Sequence, residues 1–190
     1  MKDSEAIDLI RQAVPRSAGT WADLGAGEGT FTRALAQRLE PGARILAVDR
    51  DARALARLKR SWTGPTEVIT VEADFTRPLE LPGVHAGSLD GILLANALHF
   101  VADPGATLAR LGAWLRPAGR LVVVEYERRR PNPWVPHPIE PSRLVEVARG
   151  AGFTEPIITA RQPSAFGGNL YAAAADRLEG KLRSAAAASP

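Results

Sequence analysis

The chain has 190 residues, a formal net charge of +3, 45% hydrophobic residues and 24% charged residues, which is typical of a single soluble domain. No apolar run approaches the roughly 18 residues of a membrane-spanning helix, and residues 1–5 lack the pattern of a signal peptide, so we expect a cytoplasmic protein without membrane association. The absence of cysteine excludes disulfides, thiolate metal sites and thiol nucleophiles.

Short apolar runs alternate along the chain with segments of helical periodicity. The expected helices span residues 4–14, 29–39, 51–61, 104–115 and 141–150. The expected strands span residues 20–24, 44–48, 67–71, 88–94, 120–126, 154–161 and 169–175. Strands separated by helices pair in parallel, whereas the last two strands, joined without a helix, pair antiparallel.

These elements predict an α/β fold, in which a doubly wound, seven-stranded, mostly parallel sheet carries an antiparallel hairpin at one edge. No repeat or linker divides the chain, so we predict one domain over residues 1–190 with a core at about residues 20–175. The alanine-rich residues 184–190 are expected to fray.

The first strand runs into a glycine-rich loop with the sequence Asp23-Leu24-Gly25-Ala26-Gly27-Glu28-Gly29. Ligands of doubly wound sheets bind outside the carboxyl ends of the strands, and glycines allow the backbone to approach a ligand closely. A dinucleotide-binding loop would place its third small residue at Thr30, one position after Gly29, and Asp23 would repel a pyrophosphate. The loop therefore favours a positively charged ligand without phosphate, with a nucleotide-dependent oxidoreductase as the lesser alternative.

The pattern Asp23-x-Gly25-x-Gly27-x-Gly29 resembles motif I of the class I S-adenosylmethionine-dependent methyltransferases, in particular small single-domain enzymes that act on small molecules. The resemblance covers about residues 20–175. It implies an enzyme that uses S-adenosylmethionine, releases S-adenosylhomocysteine and binds its cofactor through the four residues of this pattern.

Five later residues complete the predicted cofactor site. Asp49 ends the second strand, where a carboxylate can accept hydrogen bonds from both ribose hydroxyls; the alternative is a cap for the following helix. Arg50 could lie along the adenine face, with an ordinary surface position as its alternative. The resemblance assigns Asp74 to the adenine amino group, Phe75 to the adenine ring and Asn96 to the methionine part, although Asn96 could instead cap a turn.

Residues after the fourth and fifth strands are candidates for catalysis and acceptor binding. His99 is the candidate general base, because imidazole titrates near neutral pH; alternatively it only orients its turn. Glu125 and Tyr126 are expected to line the acceptor pocket. Trp134 is expected to form an apolar wall within the proline-rich loop 128–138, whose alternative role is that of a rigid connector. We expect no metal.

The acceptor is expected to be a small molecule, mainly by elimination. The segment Asn96-Ala97-Leu98-His99 lacks the Asp/Asn-Pro-Pro-aromatic motif of nucleic-acid amino methyltransferases, pyrimidine carbon methylation needs a cysteine, and no RNA-binding domain flanks the core. The pI of about 9.8 keeps RNA or protein methylation as an alternative. A non-catalytic scaffold that binds S-adenosylmethionine is a further alternative, and we expect a monomer or a homodimer.

Overall fold

The computed structural model describes residues 1–179. Its helices are α1 (Asp3–Ile10), α2 (Thr30–Arg38), α3 (Ala52–Ser61), α4 (Pro104–Gly112) and α5 (Pro141–Gly150), with a 3₁₀ turn at Leu98–Phe100. Its strands are β1 (Thr20–Leu24), β2 (Arg44–Asp49), β3 (Glu67–Glu72), β4 (Leu89–Ala95), β5 (Leu115–Tyr126), β6 (Ile157–Pro163) and β7 (Asn169–Asp176). Every predicted helix and strand is present, whereas the expected frayed segment 184–190 lies outside the described residues.

The strands form one seven-stranded sheet in the order β3-β2-β1-β4-β5-β7-β6. β1 pairs in parallel with both β2 and β4, so the winding direction reverses between β1 and β4 and a crevice opens at their carboxyl ends. β7 runs antiparallel to β5 and to β6. The predicted doubly wound sheet with a hairpin at one edge is confirmed.

Apolar layers cover both faces of the sheet, because successive side chains of a strand point to opposite faces. Trp21 of β1 packs in the layer that contains the buried residues of α1 and α2, and Leu24 packs in the layer that contains those of α4 and α5. Between β3 and β4 no helix forms, and the loop residues Phe75 and Leu81 are buried in the second layer instead. None of the helices within residues 1–179 is long and apolar enough to cross a membrane.

Several boundaries differ from those expected: α1 ends at Ile10, α4 ends at Gly112, β5 begins at Leu115 and β6 begins at Ile157. The early start of β5 has a local cause. Leu115 pairs with Leu89, and the register then shifts so that Arg120 pairs with Gly91. The turn residues expected to precede β5 therefore form an irregularity inside it.

Candidate active site

A cleft of about 200 Å³ lies at the carboxyl ends of β1 to β4. Six of the predicted cofactor residues line it, namely Gly25, Asp49, Arg50, Asp74, Phe75 and Asn96. They follow four different strands, so the parallel sheet gathers into one cleft residues that are far apart in the sequence. Four further residues line the cleft and were not among the predicted ones, namely Ala73, Thr76, Ala97 and Phe100.

The carboxylate of Asp49 is fixed at the end of β2 by two backbone groups. Its Oδ2 accepts a hydrogen bond from the N–H of Gly27 at 2.7 Å, and its Oδ1 accepts one from the N–H of Asp51 at 2.8 Å. Asp51 is the residue that caps α3, accepting from the N–H groups of Arg53 and Ala54, so the cap alternative for Asp49 is wrong. Each carboxylate oxygen of Asp49 can accept a further hydrogen bond.

Asp74 and Phe75 present a charged and an apolar surface to the same cleft. Oδ1 of Asp74 accepts from the hydroxyl of Thr76 at 2.7 Å and from its backbone N–H at 3.0 Å. These bonds, chiefly the one from the hydroxyl, hold the pKa of Asp74 below its ordinary value. Asp74 is therefore an ionised acceptor beside the largely buried ring of Phe75, a combination that fits an amino-substituted aromatic base.

The glycines of the loop do not all meet the cleft. Gly25 lines it with a φ of +83°, and an added Cβ would lie 2.7 Å from the Cβ of Ala97. Gly27 contributes the N–H that holds Asp49. Gly29 has a φ of +86° at the start of α2, and an added Cβ would overlap the side chain of Leu58 in α3. Gly29 is not among the residues that line the cleft, and its position serves helix packing, so its cofactor contact stays a prediction.

Asp23 lies beneath the loop, and the expected contact between this residue and the cofactor is corrected. Its side chain is 1% exposed, and its Oδ2 accepts a hydrogen bond from the hydroxyl of Thr32 at 2.6 Å. Its Oδ1 has no partner among residues 1–179. Burial raises the pKa of Asp23 from 3.8 to about 7; the bond from Thr32 opposes this shift, and the charge of Asp49 adds to it.

This raised pKa makes folding stability depend on pH. The folded protein keeps a proton on Asp23 up to about pH 7, whereas the unfolded chain releases it near pH 3.8. The stabilisation is complete below the unfolded pKa and is lost as the pH rises through the folded pKa. Relative to Asp23→Asn, the wild-type free energy of unfolding should fall by up to about 1.4 kcal/mol per pH unit across this window.

Urea denaturation of both proteins without ligand, at about pH 5 and about pH 8, measures this difference. Relative to the wild type, Asp23→Asn should have a higher free energy of unfolding at about pH 8 than at about pH 5. A stability difference that is the same at both pH values would contradict the assignment.

Asn96 follows β4 in a left-handed conformation with a φ of +52°. Its backbone N–H donates to Val124, but its buried Oδ1 has no hydrogen-bond partner within residues 1–179. If the amide capped a turn, this oxygen would accept a hydrogen bond from a backbone N–H. The cap alternative therefore finds no support. Buried acceptors are normally satisfied, and the side chain lines the cleft, so its oxygen suits a ligand N–H.

A second pocket of about 810 Å³ adjoins the cleft and shares Asn96 and Phe100 with it. Phe100, Trp134 and Phe166 line this pocket although 46%, 78% and 77% of their respective surfaces are exposed. Clustered exposed aromatic rings mark a binding surface, and the volume is within the range of small-molecule sites. We call this the acceptor pocket, after the role expected of Tyr126 and Trp134.

Phe166 could not be placed in the acceptor pocket from local sequence, whereas Arg129 belongs to the loop 128–138 that was expected to form a wall. Phe166 stands on the turn between β6 and β7, and it enters the pocket because β7 pairs with β5. Arg129 donates a hydrogen bond to the carbonyl of Phe166 at 2.8 Å, and its guanidinium lies 4.4 Å from the centre of the Tyr126 ring. Tyr126 and Trp134 line the pocket, where they were expected.

Glu125 does not line the pocket, and this expectation is corrected. Its side chain is wholly buried. Oε2 accepts a hydrogen bond from Nδ1 of His99 at 2.7 Å, and Oε1 accepts one from the backbone N–H of His99 at 3.1 Å. The strand therefore turns Glu125 inward to hold His99, which does line the acceptor pocket.

Comparisons with known proteins agree with this geometry. The sequence model of a family described as "Methyltransferase domain" matches residues 22–123, which include the whole cofactor cleft and end before Glu125. An uncharacterized methyltransferase of Mycobacterium tuberculosis is 32% identical over 118 residues, which are 62% of this chain and 56% of that protein. Ribosomal RNA small subunit methyltransferase H of Leptothrix cholodnii is 36% identical over 98 residues, which are 47% of this chain and 28% of that protein.

Among solved structures, the 1,6-didemethyltoxoflavin-N1-methyltransferase of Burkholderia thailandensis, with bound 1,6-didemethyltoxoflavin and S-adenosylhomocysteine, superposes with a TM-score of 0.71 and 26% identity. The match covers 93% of this chain and 78% of that chain. By contrast, the chain spans only about a quarter to about half of the length of the curated relatives it matches.

Proposed function

Because the chain belongs to the methyltransferase domain family and is a class I S-adenosylmethionine-dependent methyltransferase, we propose that it methylates a small organic molecule held in the acceptor pocket. One observation carries this proposal. The acceptor pocket is large and apolar, and it shares two lining residues, Asn96 and Phe100, with the cofactor cleft.

The cleft residues fit S-adenosylmethionine, which supplies an electrophilic methyl group on a sulfonium. Asp49 suits the ribose hydroxyls, Asp74 suits the adenine amino group, and Phe75 and Arg50 lie at the same cleft for the adenine ring. The unpartnered Oδ1 of Asn96 suits the ammonium group. Two carboxylates in one small cleft would repel a pyrophosphate, which opposes the oxidoreductase alternative.

The walls of the acceptor pocket favour a small aromatic or apolar acceptor over RNA. Its exposed surfaces are mainly aromatic, and Arg129 is the single cationic side chain lining it within residues 1–179. RNA binding relies on several cations along a phosphate path. The other two arginines of this run, Arg128 and Arg130, are exposed and lie outside the pocket lining. Arg129 suits one anionic or electron-rich group on the acceptor.

Label transfer tests this proposal directly. Calorimetry with S-adenosylhomocysteine first checks the cofactor cleft, and methyl-labelled S-adenosylmethionine is then incubated with the protein and a fractionated cell extract. We expect S-adenosylhomocysteine to bind and the label to enter the small-molecule fraction. Label in RNA or protein would overturn the acceptor class. Binding without transfer to any fraction would instead support the scaffold alternative.

Trp134→Ala should weaken binding of the acceptor without weakening binding of the cofactor. The indole lines the acceptor pocket and is absent from the cofactor cleft. Loss of about 2 kcal/mol of apolar contact corresponds to a rise of more than about tenfold in the acceptor KM. Steady-state kinetics with the acceptor found by label transfer gives this KM, and calorimetry gives the Kd of S-adenosylhomocysteine.

Ile157→Ala is the matched control for Trp134→Ala. Ile157 is 70% exposed on β6 and lies outside both the cleft and the acceptor pocket. Both constants should stay at the wild-type value in this control. Equal effects of Trp134→Ala on acceptor and cofactor would count against the pocket assignment.

A further inference from the structure

A buried pair of ionisable side chains stands where the cofactor cleft meets the acceptor pocket. His99 is 3% exposed and Glu125 is wholly buried. Resting on the proposed function, we propose that Glu125 is a positioning residue that orients His99, so that Nε2 of His99 takes the proton that the acceptor loses during methylation. The acceptors are then compounds that carry a reactive O–H or N–H group.

The hydrogen bonds around Glu125 fix the tautomer of His99. The backbone N–H of His99 donates to Oε1, which leaves Oε2 as the acceptor for Nδ1 at 2.7 Å. A carboxylate only accepts, so the proton of a neutral imidazole must reside on Nδ1. Nε2 then carries a lone pair and can accept a proton.

This lone pair belongs to a ring that borders the acceptor pocket. The ring lines the pocket, with the ring centre of Phe100 at 4.4 Å and that of Tyr126 at 6.2 Å. Within residues 1–179 the His99 ring forms its hydrogen bond through Nδ1, and Nε2 is not one of the fully buried atoms that lack a partner. The carbonyl of His99 accepts a hydrogen bond from the N–H of His137 at 3.0 Å, so the proline-rich loop also holds this turn.

A role in folding alone explains this pair poorly. Apolar side chains of similar volume stabilise a core as well as a buried ionic pair does, or better. The pair also differs from its neighbours on β5, since Val122, Val123 and Val124 are buried and apolar. Chemistry at the pocket gives a reason for a carboxylate at this position.

The proton transfer balances as follows. A lone pair of the acceptor oxygen or nitrogen forms the new bond to the methyl carbon as the carbon–sulfur bond breaks, and the electron pair of that bond stays on sulfur. The acceptor proton moves to Nε2 of His99. Glu125 stabilises the resulting imidazolium, which then releases the proton to solvent.

Glu125→Gln separates positioning from structure. A glutamine fills the same space, but its amide offers one oxygen, which the backbone N–H of His99 occupies, and one NH₂ group that donates. That NH₂ group can donate to Nδ1 only if the imidazole proton moves to Nε2, which removes the proton acceptor. Glu127→Gln is the matched control, since Glu127 is a partly exposed carboxylate that binds Arg161 and Asn169 outside the pocket.

Nitrogen-15 NMR of the imidazole rings tests the tautomer without any acceptor. The spectra are recorded with bound S-adenosylhomocysteine, and His99→Gln identifies the signals of His99. We expect a protonated Nδ1 and a bare Nε2 in the wild type and in Glu127→Gln, and the reverse in Glu125→Gln. The proposal is overturned if the wild-type spectrum shows His99 protonated on Nε2, or protonated on both nitrogens at about pH 8. This result needs only the wild type, so it holds even if Glu125→Gln fails to fold.

The second measurement is turnover with two groups of candidate acceptors. Phenols and N–H heterocycles carry a proton that methylation removes, whereas thioethers and pyridines carry none. Glu125→Gln should lower kcat by at least about a hundredfold and leave the KM of S-adenosylmethionine unchanged. An unchanged kcat, or equal methylation of the compounds without a proton to lose, overturns the proposal. Failure of the wild type to bind S-adenosylhomocysteine would instead overturn the proposed function.

Discussion

Replacing Asp49 by Asn should weaken the binding of S-adenosylmethionine by about a hundredfold. The carboxylate already accepts one backbone N–H on each oxygen and has acceptor capacity left for both ribose hydroxyls. The amide keeps one acceptor oxygen and turns an NH₂ group toward a backbone N–H. Loss of two charge-assisted hydrogen bonds at about 1.5 kcal/mol each accounts for the change.

Calorimetry with S-adenosylhomocysteine measures this effect, and Asp51→Asn is its control. Asp51 is also a carboxylate beside β2, but its side chain caps α3 and is absent from the cleft lining. Asparagine caps helices as well as aspartate does, so the control should keep both its fold and its affinity. An Asp49→Asn protein that binds like the control would refute the ribose assignment.

Gly91→Ala should destabilise the fold by about 3 kcal/mol or more. Gly91 of β4 pairs with Trp21 of β1, and an added Cβ would lie 2.5 Å from Cδ2 of the indole. Trp21 is wholly buried, so its ring has no free space to enter. The methyl group can be accommodated only if two central strands move apart, and the free energy of unfolding from urea denaturation reports this cost.

Gly150→Ala provides the comparison for this substitution. Gly150 is the last residue of α5, and an added Cβ there meets no atom within 4 Å. Because alanine favours a helix over glycine by up to about 1 kcal/mol, this variant should be as stable as the wild type or slightly more stable. Similar stabilities of the two alanine variants would contradict the packing described around Trp21.

The positions of Asp49, Asp74 and Asn96 in the cleft could be anticipated from the sequence because each follows an apolar run. The carboxyl ends of parallel strands converge, so a residue just after such a run reaches the ligand crevice without knowledge of distant contacts. The same regularity explains why the observed sheet agrees with the predicted one. Local turns are less regular, and the start of β5 was therefore misplaced.

The direction of individual side chains at the strand ends could not be anticipated. Glu125 and Tyr126 are neighbours on one strand, and their side chains point to opposite faces of the sheet. An error of one residue in the expected register therefore decides whether a side chain lines the pocket or is buried behind it. Asp23 similarly faces Thr32 of α2 rather than the cleft. Phe166 and Arg129 meet through strand pairing, which no local pattern in the sequence records.

Asn96 and Phe100 form a common wall between two binding compartments, and this has a thermodynamic consequence. If occupancy of one compartment changes the orientation of either side chain, the affinity of the other changes by the same factor in both directions. In that case, an acceptor titrated into the protein without cofactor binds beside Asn96 and Phe100 in a different orientation from the one they have during turnover. Affinities determined with and without S-adenosylhomocysteine therefore belong to two different binding equilibria, and their ratio measures the coupling across this wall.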